Sequence, residues 1–275
     1  MPELDYPELS DDVFHKLTDL LFKKSGITLR DHKKYLLIHR ISKFVGKNKR
    51  FESFNDYYKA LINDKSGNLT VEFVNTLTTN FSYFFREEIH FDILKKYLTE
   101  NYKKESYIRL WSAACSTGEE PYSIAISCLQ SIPELNRLDL KILATDISTK
   151  VLSIAEEGLY HYTKVRGHIE DRELKTFFNF KRENNSFIVK KSVKDLVSFR
   201  YLNLLSSYPF KKNFDVVFLR NVLIYFDNNE KQIAINKLYD YIKPDGYLIL
   251  GLSESMVGIN HRFVPLKNSV YQKKV

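Results

Sequence analysis

Over about the first hundred residues, apolar positions recur at helical spacing; beyond them they collect into short continuous runs with helical stretches between. Val13, Leu17, Leu20 and Leu21 make one stripe behind Ser10, an N-cap candidate, and the acidic first turn of Asp11 and Asp12, and the stripe stops near Gly26. Leu37, Ile41, Phe44 and Val45 predict a second helix. Phe54, Tyr57, Tyr58, Leu61 and Ile62 predict a third, and after the punctuation of Asn63 to Asn68 a fourth follows around Val71 to Leu77. A longer helix is expected through Phe91, Leu94, Tyr97 and Leu98. A domain boundary therefore falls between Thr76 and Glu88, separating a small all-helical domain at 1–78 from a second domain at 79–275.

In the second domain the runs IRLWS (108–112), LKILAT (140–145), VSFRYL (197–202), FDVVFL (214–219) and YLILGL (247–252) read as strands. Tyr122, Ala125, Ile126 and Leu129 fit a helix between two of them, and so do Ala234, Leu238, Tyr241 and Ile242. This alternation predicts an α/β fold with a doubly wound, mostly parallel sheet. The tail, RFVPLKNSVYQKKV, has two strand-like pieces and no helix between them, which suits an antiparallel hairpin at the sheet edge.

Composition adds little until charge is placed along the chain. With 44% apolar and 28% charged residues, the 275-residue chain has the make-up of a globular protein. No apolar run approaches the roughly 20 residues that span a bilayer, and the acidic start MPELDYPELSDD lacks the layout of a secretion signal, so a cytoplasmic protein without membrane insertion is expected. Cys115 and Cys128 form no metal-ligand spacing with the histidines, and no metal is expected; both read as reduced packing residues. The formal charge of +8 is uneven: Arg30, Lys33, Lys34, Arg40, Lys43, Lys47, Lys49 and Arg50 are opposed only by Asp31. Such a basic helix, about 31–47, suits an acidic partner, a merely solvated face or nucleic acid.

The stretch RLWSAACSTGEEPYSIAI runs from a strand through a small-residue loop into a helix, a layout that favours anions, yet it carries Glu119 and Glu120. The phosphate-loop and G-x-G-x-x-G patterns are both absent. One reading is structural: Ser116 with Glu119, and Thr117 with Glu120, each match a capping box. The other is chemical. The second strand ends in Asp146, where a carboxylate can accept from both hydroxyls of a ribose. Acids beside the loop would repel phosphate but suit a cation, as in S-adenosylmethionine. The fourth strand runs directly into Arg220, Asn221 and Tyr225. The Pro-Pro-aromatic turn of many amine methyltransferases is replaced by NVLIYF, which argues against a nucleobase nitrogen as nucleophile.

Together TTNFSYFFREEIHF (78–91), WSAACSTGEEPYSIAI, ATDIS (144–148), NLL (203–205), FDVVFLRNVLIYF and KPDGYLILGLSES resemble the chemotaxis receptor methyltransferases of the CheR type over nearly the whole chain. The resemblance implies an N-terminal helical domain, a class I S-adenosylmethionine-dependent methyltransferase domain and a small inserted β-subdomain, here about 160–198, where SFIVKKSV contains a possible strand. It implies methylation of glutamate side chains on the cytoplasmic helices of chemoreceptors, giving γ-glutamyl methyl esters and S-adenosylhomocysteine. Carried over by motif, cofactor contacts fall on Asn80, Ser82, Arg86, Glu120, Asp146, Asn203, Leu204, Arg220 and Asn221. Motif alignment favours Glu120 over Glu119; the residues alone do not separate them. Phe81, Phe84 and Phe85 can also be read as an aromatic core strip.

A glutamate carboxylate, with an ordinary pKa of about 4.3, is already ionised at neutral pH, so no general base is expected. Arg86 and Tyr225 are the candidates for holding the substrate carboxylate. The implied partners are acidic receptor helices facing the basic helix, with no nucleic acid and a monomeric enzyme. Two rivals are a methyltransferase for RNA or a small molecule and a non-catalytic adaptor.

Overall fold

The computed structural model describes residues 7–103 and 106–274; residues 1–6 of the acidic start and Val275 of the tail lie outside the described residues. The chain divides into two compact units. The first runs to Thr79 and takes in Tyr225–Asp227, and the second holds the remainder.

The first unit contains α1 (Asp11–Ser25), α2 (Lys34–Ile41), α3 (Phe54–Ile62) and α4 (Asn68–Leu77). The Ser10 hydroxyl caps α1 by accepting from the Val13 N–H at 3.4 Å, and Gly26 ends it in the left-handed conformation at φ 74°. Leu17, Leu21, Leu37, Ile41, Tyr57 and Phe73 are fully buried. The basic helix is shorter than its spacing predicts. A 3-10 turn at Asp31–Lys33 precedes α2, which stops at Ile41, and Val45 forms a bridge with Phe51. Tertiary packing overrides the periodicity there: Phe44 leaves the helix to stack on Tyr57 at 6.1 Å, while Phe51 meets the same ring edge-on at 5.0 Å. The basic stripe is also partly structural. Lys34 pairs with Asp11, Arg50 with Glu72, Lys49 donates to the Ser42 carbonyl, and Arg40 donates to the carbonyls of Leu77 and Thr78. Lys43 and Lys47 are exposed.

The second unit opens with a stretch free of regular structure, turning at 84–88, and α5 (Ile89–Asn101), then alternates: β1 (Tyr107–Ala113), α6 (Glu119–Ser131), β2 (Asp139–Asp146) and α7 (Thr149–Glu157). An insert follows, with β3 (Leu159–His161), α8 (Tyr162–Val165), α9 (Asp171–Phe177), β4 (Phe178–Lys181), β5 (Ser186–Val189) and α10 (Lys191–Lys194). The main sheet then resumes with β6 (Val197–Tyr201), β7 (Phe214–Leu219), α11 (Asn228–Tyr241), β8 (Ile242–Leu250), β9 (Val264–Pro265) and β10 (Val270–Gln272).

The sheet order is β6-β2-β1-β7-β8-β10-β9; the first five strands are parallel, and β10 and β9 are antiparallel at one edge. All six residues of β7 are buried, as a central parallel strand covered on both faces requires. The chain runs from β1 outward to β2 and β6, then returns to β7 on the other side of β1. The β1/β7 junction is thus the topological switch point, where ligands of open α/β sheets bind beyond the carboxyl ends. β8 starts earlier than its apolar run predicts, because Phe214 pairs with Ile242 and Val216 with Tyr247, so that Lys243 to Gly246 bulge inside the strand. Gly246 permits the bulge: a Cβ there would lie 2.7 Å from the Asp215 carbonyl oxygen. The insert forms its own antiparallel sheet, ordered β3-β5-β4, whose Tyr160, Phe178 and Val189 belong to the same buried cluster as Leu110, Ile142 and Phe218 of the main sheet.

Candidate active site

The loop after β1 is built on left-handed backbone: Ala114, Ser116 and Gly118 have φ of 85°, 50° and 96°. The N–H groups of Ala114 and Cys115 both donate to the Thr145 carbonyl at 2.8 Å, which ties the loop to the end of β2. At Gly118 a side chain is excluded twice over, by φ and by space, since a Cβ would meet the Tyr160 hydroxyl and Ala155 Cβ at 2.8 Å. Neither capping box forms. Gly118 is the N-cap residue of α6; the Ser116 hydroxyl instead donates to the Asn80 carbonyl at 3.2 Å, and Thr117 donates to Glu119 at 2.7 Å. A capping box needs its N-cap in extended backbone, which the left-handed loop does not supply.

The two adjacent glutamates take different environments. Glu119 is 1% exposed and turned onto the Thr117 hydroxyl. Glu120 points to the switch point, where its Oε1 accepts from Ser112 at 2.6 Å and its Oε2 from Arg220 Nη1 at 2.9 Å. Arg220 follows β7 and is itself buried. Its Nη2 donates to Glu87 Oε2 at 2.9 Å and to the Arg86 carbonyl, and its guanidinium lies 5.7 Å from the Phe91 ring. Burial raises the Glu87 carboxyl, but the hydrogen bond and charge of Arg220 outweigh it, and the group sits below the usual glutamate range.

At the tip of β2, Asp146 is 8% exposed; its Oδ2 accepts from the Ser116 N–H and its Oδ1 from the Ser148 N–H, both at 2.9 Å. Burial pushes its carboxyl up against the lowering effect of these N–H groups. Asn203 and Leu204 follow β6. The Asn203 side chain accepts from the Leu205 N–H at 2.9 Å, Leu204 is buried, and Lys237 of α11 braces this loop by donating to the carbonyls of Leu205 and Ser206 at 2.8 Å. Asn221 has left-handed backbone at φ 57°. Its N–H donates to Glu254 Oε2 at 2.6 Å, and Glu254 also accepts from Gly251 and Leu223. Burial raises the Glu254 carboxyl.

Ser82 is buried in the stretch ahead of α5, and Arg86 is half-buried in it. Of the aromatic strip, Phe84 is buried against Tyr160 and Phe178, at 5.0 and 5.5 Å, and Phe85 meets Phe91, but Phe81 is 68% exposed and is not core. The reason is local: with Phe84 turned inward, alternation turns Phe81 toward water. Tyr225 ends a 3-10 turn at Leu223–Tyr225 and groups with the first unit, where its carbonyl accepts from the Thr28 N–H at 3.3 Å.

Sequence reading missed Glu87 and Glu254. Both lie inside quoted motifs, and both were available as acids next to a placed residue: Glu87 beside Arg86, Glu254 in the loop after the last parallel strand.

These groups fit a sulfonium nucleoside. Around Arg220 the carboxylates Glu87 and Glu120 leave one net negative charge, which suits a sulfonium or ammonium and not a phosphate. Asp146, at the tip of β2, retains acceptor capacity beyond its backbone N–H partners, as a contact to a ribose hydroxyl requires. Among the described residues no group of three or more His, Cys, Asp or Glu side chains could hold a metal ion. No helix among them is long and apolar enough to cross a membrane. Cys115 and Cys128 are buried thiols with pKa raised by burial.

Comparison with known proteins agrees with this geometry. Residues 12–78 match the CheR methyltransferase all-alpha domain and residues 80–272 the CheR methyltransferase SAM binding domain. A chemotaxis protein methyltransferase of Borreliella burgdorferi is 37% identical over 274 residues, covering 96% of this chain and 95% of that one. That of Vibrio parahaemolyticus is 35% identical over 258 residues, with 93% of each chain covered. That of Escherichia coli is 32% identical over 265 residues, covering 96% of this chain and 91% of its own. Two domain matches in order, and relatives of this identity aligned almost end to end, make the chain a member of the CheR methyltransferase family, with S-adenosylmethionine as its cofactor.

Proposed function

We propose that this protein methylates glutamate side-chain carboxylates on the cytoplasmic helices of chemoreceptors, forming γ-glutamyl methyl esters in chemotaxis adaptation, and that it acts in the cytoplasm. The bound cofactor supplies a methyl group on a sulfonium: the carboxylate oxygen bonds to the methyl carbon as the carbon–sulfur bond breaks, and the sulfur keeps the electron pair as a neutral thioether.

The observation that carries the reading is how the site's acids are used. Glu119 and Glu254 are buried and turned onto a hydroxyl or backbone N–H groups, and Glu87 and Glu120 flank Arg220. An ionised carboxylate nucleophile has no proton to lose, so a site whose acids act as scaffold is sufficient for it. An amine or hydroxyl nucleophile would ask more of the protein.

In this reading Asp146 holds the ribose, Glu120 and Arg220 border the charged end of the cofactor, and Arg86 orients the substrate carboxylate. Clamping the attacking anion also stabilises it, so the gain from Arg86 comes from alignment and not from activation. Tyr225 is proposed as a second donor to that carboxylate. Arg86→Ala is expected to remain folded and to lose most turnover; near-normal transfer by a folded variant overturns its role.

The test is calorimetry with S-adenosylhomocysteine, then transfer of tritiated methyl groups to receptor-containing membranes, with base-labile methanol release identifying the ester. Label that is stable to base, or that appears on RNA, sinks the proposal. Binding without transfer favours the adaptor.

A further inference from the structure

Tyr83 and His168 belong to different segments of the second unit. Tyr83 sits in the stretch before α5, and His168 lies in the insert between α8 and α9. Their rings face each other at 4.7 Å with an interplanar angle of 30°. The Arg86 guanidinium carbon lies 5.8 Å from the Tyr83 ring and 5.7 Å from the Phe81 ring, and Arg86 Nη1 donates to the Phe81 carbonyl at 3.1 Å. Phe81 and Tyr83 meet edge-on at 5.9 Å. The exposed Phe81 ring therefore has a use: with Tyr83 it forms a two-sided aromatic cradle beside the guanidinium. Beneath them, Phe84 fastens the same backbone to the insert's sheet through Tyr160 and Phe178.

We propose that His168 and Tyr83 are positioning residues for Arg86: the insert, through His168, holds the Tyr83 ring, and Tyr83 with Phe81 sets the direction of the guanidinium. This rests on the role given above to Arg86. A half-buried arginine has several rotatable bonds, and a carboxylate clamp is useful only if its fork points one way when the methyl group moves. A π-stack on the outer side of Tyr83 narrows that freedom without touching substrate or cofactor. The insert then has a direct line to the reacting carboxylate.

The experiment is a set of steady-state measurements with receptor-containing membranes and tritiated S-adenosylmethionine. Tyr83→Ala is expected to lower kcat by about tenfold, equivalent to about 1.4 kcal/mol in the barrier, with KM for the cofactor changed by less than about threefold. The exposed His168→Ala is expected to lower kcat by about threefold. Tyr83→Phe and His168→Phe keep the stacked rings and should stay within about twofold of the parent enzyme. In an Arg86→Lys background, adding Tyr83→Ala should cost almost nothing more, because the residue acts through the arginine.

Equal losses in Tyr83→Ala and Tyr83→Phe, or fully additive losses with Arg86→Lys, overturn the proposal. Should Tyr83→Ala fail to fold, the pair His168→Ala and His168→Phe decides alone. If Arg86→Ala itself is fully active, the reading of Arg86 fails. If Arg86→Ala is inactive while Tyr83→Ala and His168→Ala match the parent, the stack proposal fails and that reading stands.

Discussion

Arg220 donates to Glu120 at 2.9 Å across the switch point, although 100 positions separate them in the chain. Arg220 is 5% exposed, so the pair and its third member Glu87 are linked by desolvated charge. Removing Arg220 leaves two half-buried carboxylates facing each other without compensation. Arg220→Ala is expected to destabilise by about 3–5 kcal/mol and to abolish S-adenosylhomocysteine binding. Glu120→Gln should weaken that binding while Glu119→Gln mainly lowers stability, because Glu119 faces its own loop. Calorimetry and thermal melting of the three variants separate these outcomes; equal binding losses at 119 and 120 would remove the distinction.

Asp146→Asn keeps the shape and removes the charge. On the proposed role of Asp146, losing a charge-assisted pair to the ribose should weaken S-adenosylhomocysteine binding by about 10- to 100-fold. Because burial raises the carboxyl, protonation of the ligand-free enzyme competes with the ligand at a higher pH than for an ordinary aspartate. Affinity is therefore expected to fall as pH drops through that raised value, and the variant should lose the pH dependence. An unchanged profile in Asp146→Asn assigns it to another group.

Gly118→Ala adds one methyl group where both φ and the Tyr160 hydroxyl forbid it. The cost is expected at about 2–4 kcal/mol, visible as a lower Tm. Gly67 offers the control: φ is also positive there, at +75°, but nothing lies within 4 Å of a Cβ, so Gly67→Ala should cost less.

His90 is fully buried, and its Nε2–H donates to the Asn268 carbonyl at 2.8 Å. Burial and the nearby Arg220 charge hold its pKa below the ordinary histidine value. Between about 6.5 and that lower value the unfolded chain binds the proton and the native protein does not, so stability rises with pH across this window and is lost on acidification. Denaturant melts from pH 7 downward are expected to show a slope of up to about 1.4 kcal/mol per pH unit from this group. His90→Gln should flatten it.

Lys43 and Lys47 are exposed in the turn after α2, whereas Lys34, Arg40, Lys49 and Arg50 hold the helical unit together. Reversing Lys43 and Lys47 to glutamate should slow receptor methylation and reduce its sensitivity to salt, with cofactor binding intact. Reversing Arg40 instead would test folding. A rate unchanged by the double reversal takes this surface out of the receptor interface.

Sequence pattern carried most of the architecture, for a physical reason. A parallel strand covered on both faces, such as β7, needs a continuous apolar run, and helices laid on a sheet need a stripe; both periods are visible without coordinates. What escaped depends on partners outside the local period. Phe44 and Val45 keep helical spacing yet are taken by Tyr57 and Phe51, and Ile242 keeps the helix period yet pairs with Phe214. Of the site, strand-tip residues were legible because topology places them; Glu87 and Glu254 were not, because their roles come from Arg220 and from the backbone of Asn221. The capping-box reading failed for a related reason, since a spacing rule does not register that Ser116 is left-handed.

The hairpin of β9 and β10 looks like a cover for the sheet's edge, but its turn is wired inward. Asn268 and Ser269, at φ 60° and 56°, place one carbonyl on the His90 ring and one hydroxyl on the Glu254 carbonyl. A chain stopped at Ser255 would therefore carry every motif quoted above, Glu254 included, and yet lack the turn that meets the His90 ring and the Glu254 carbonyl.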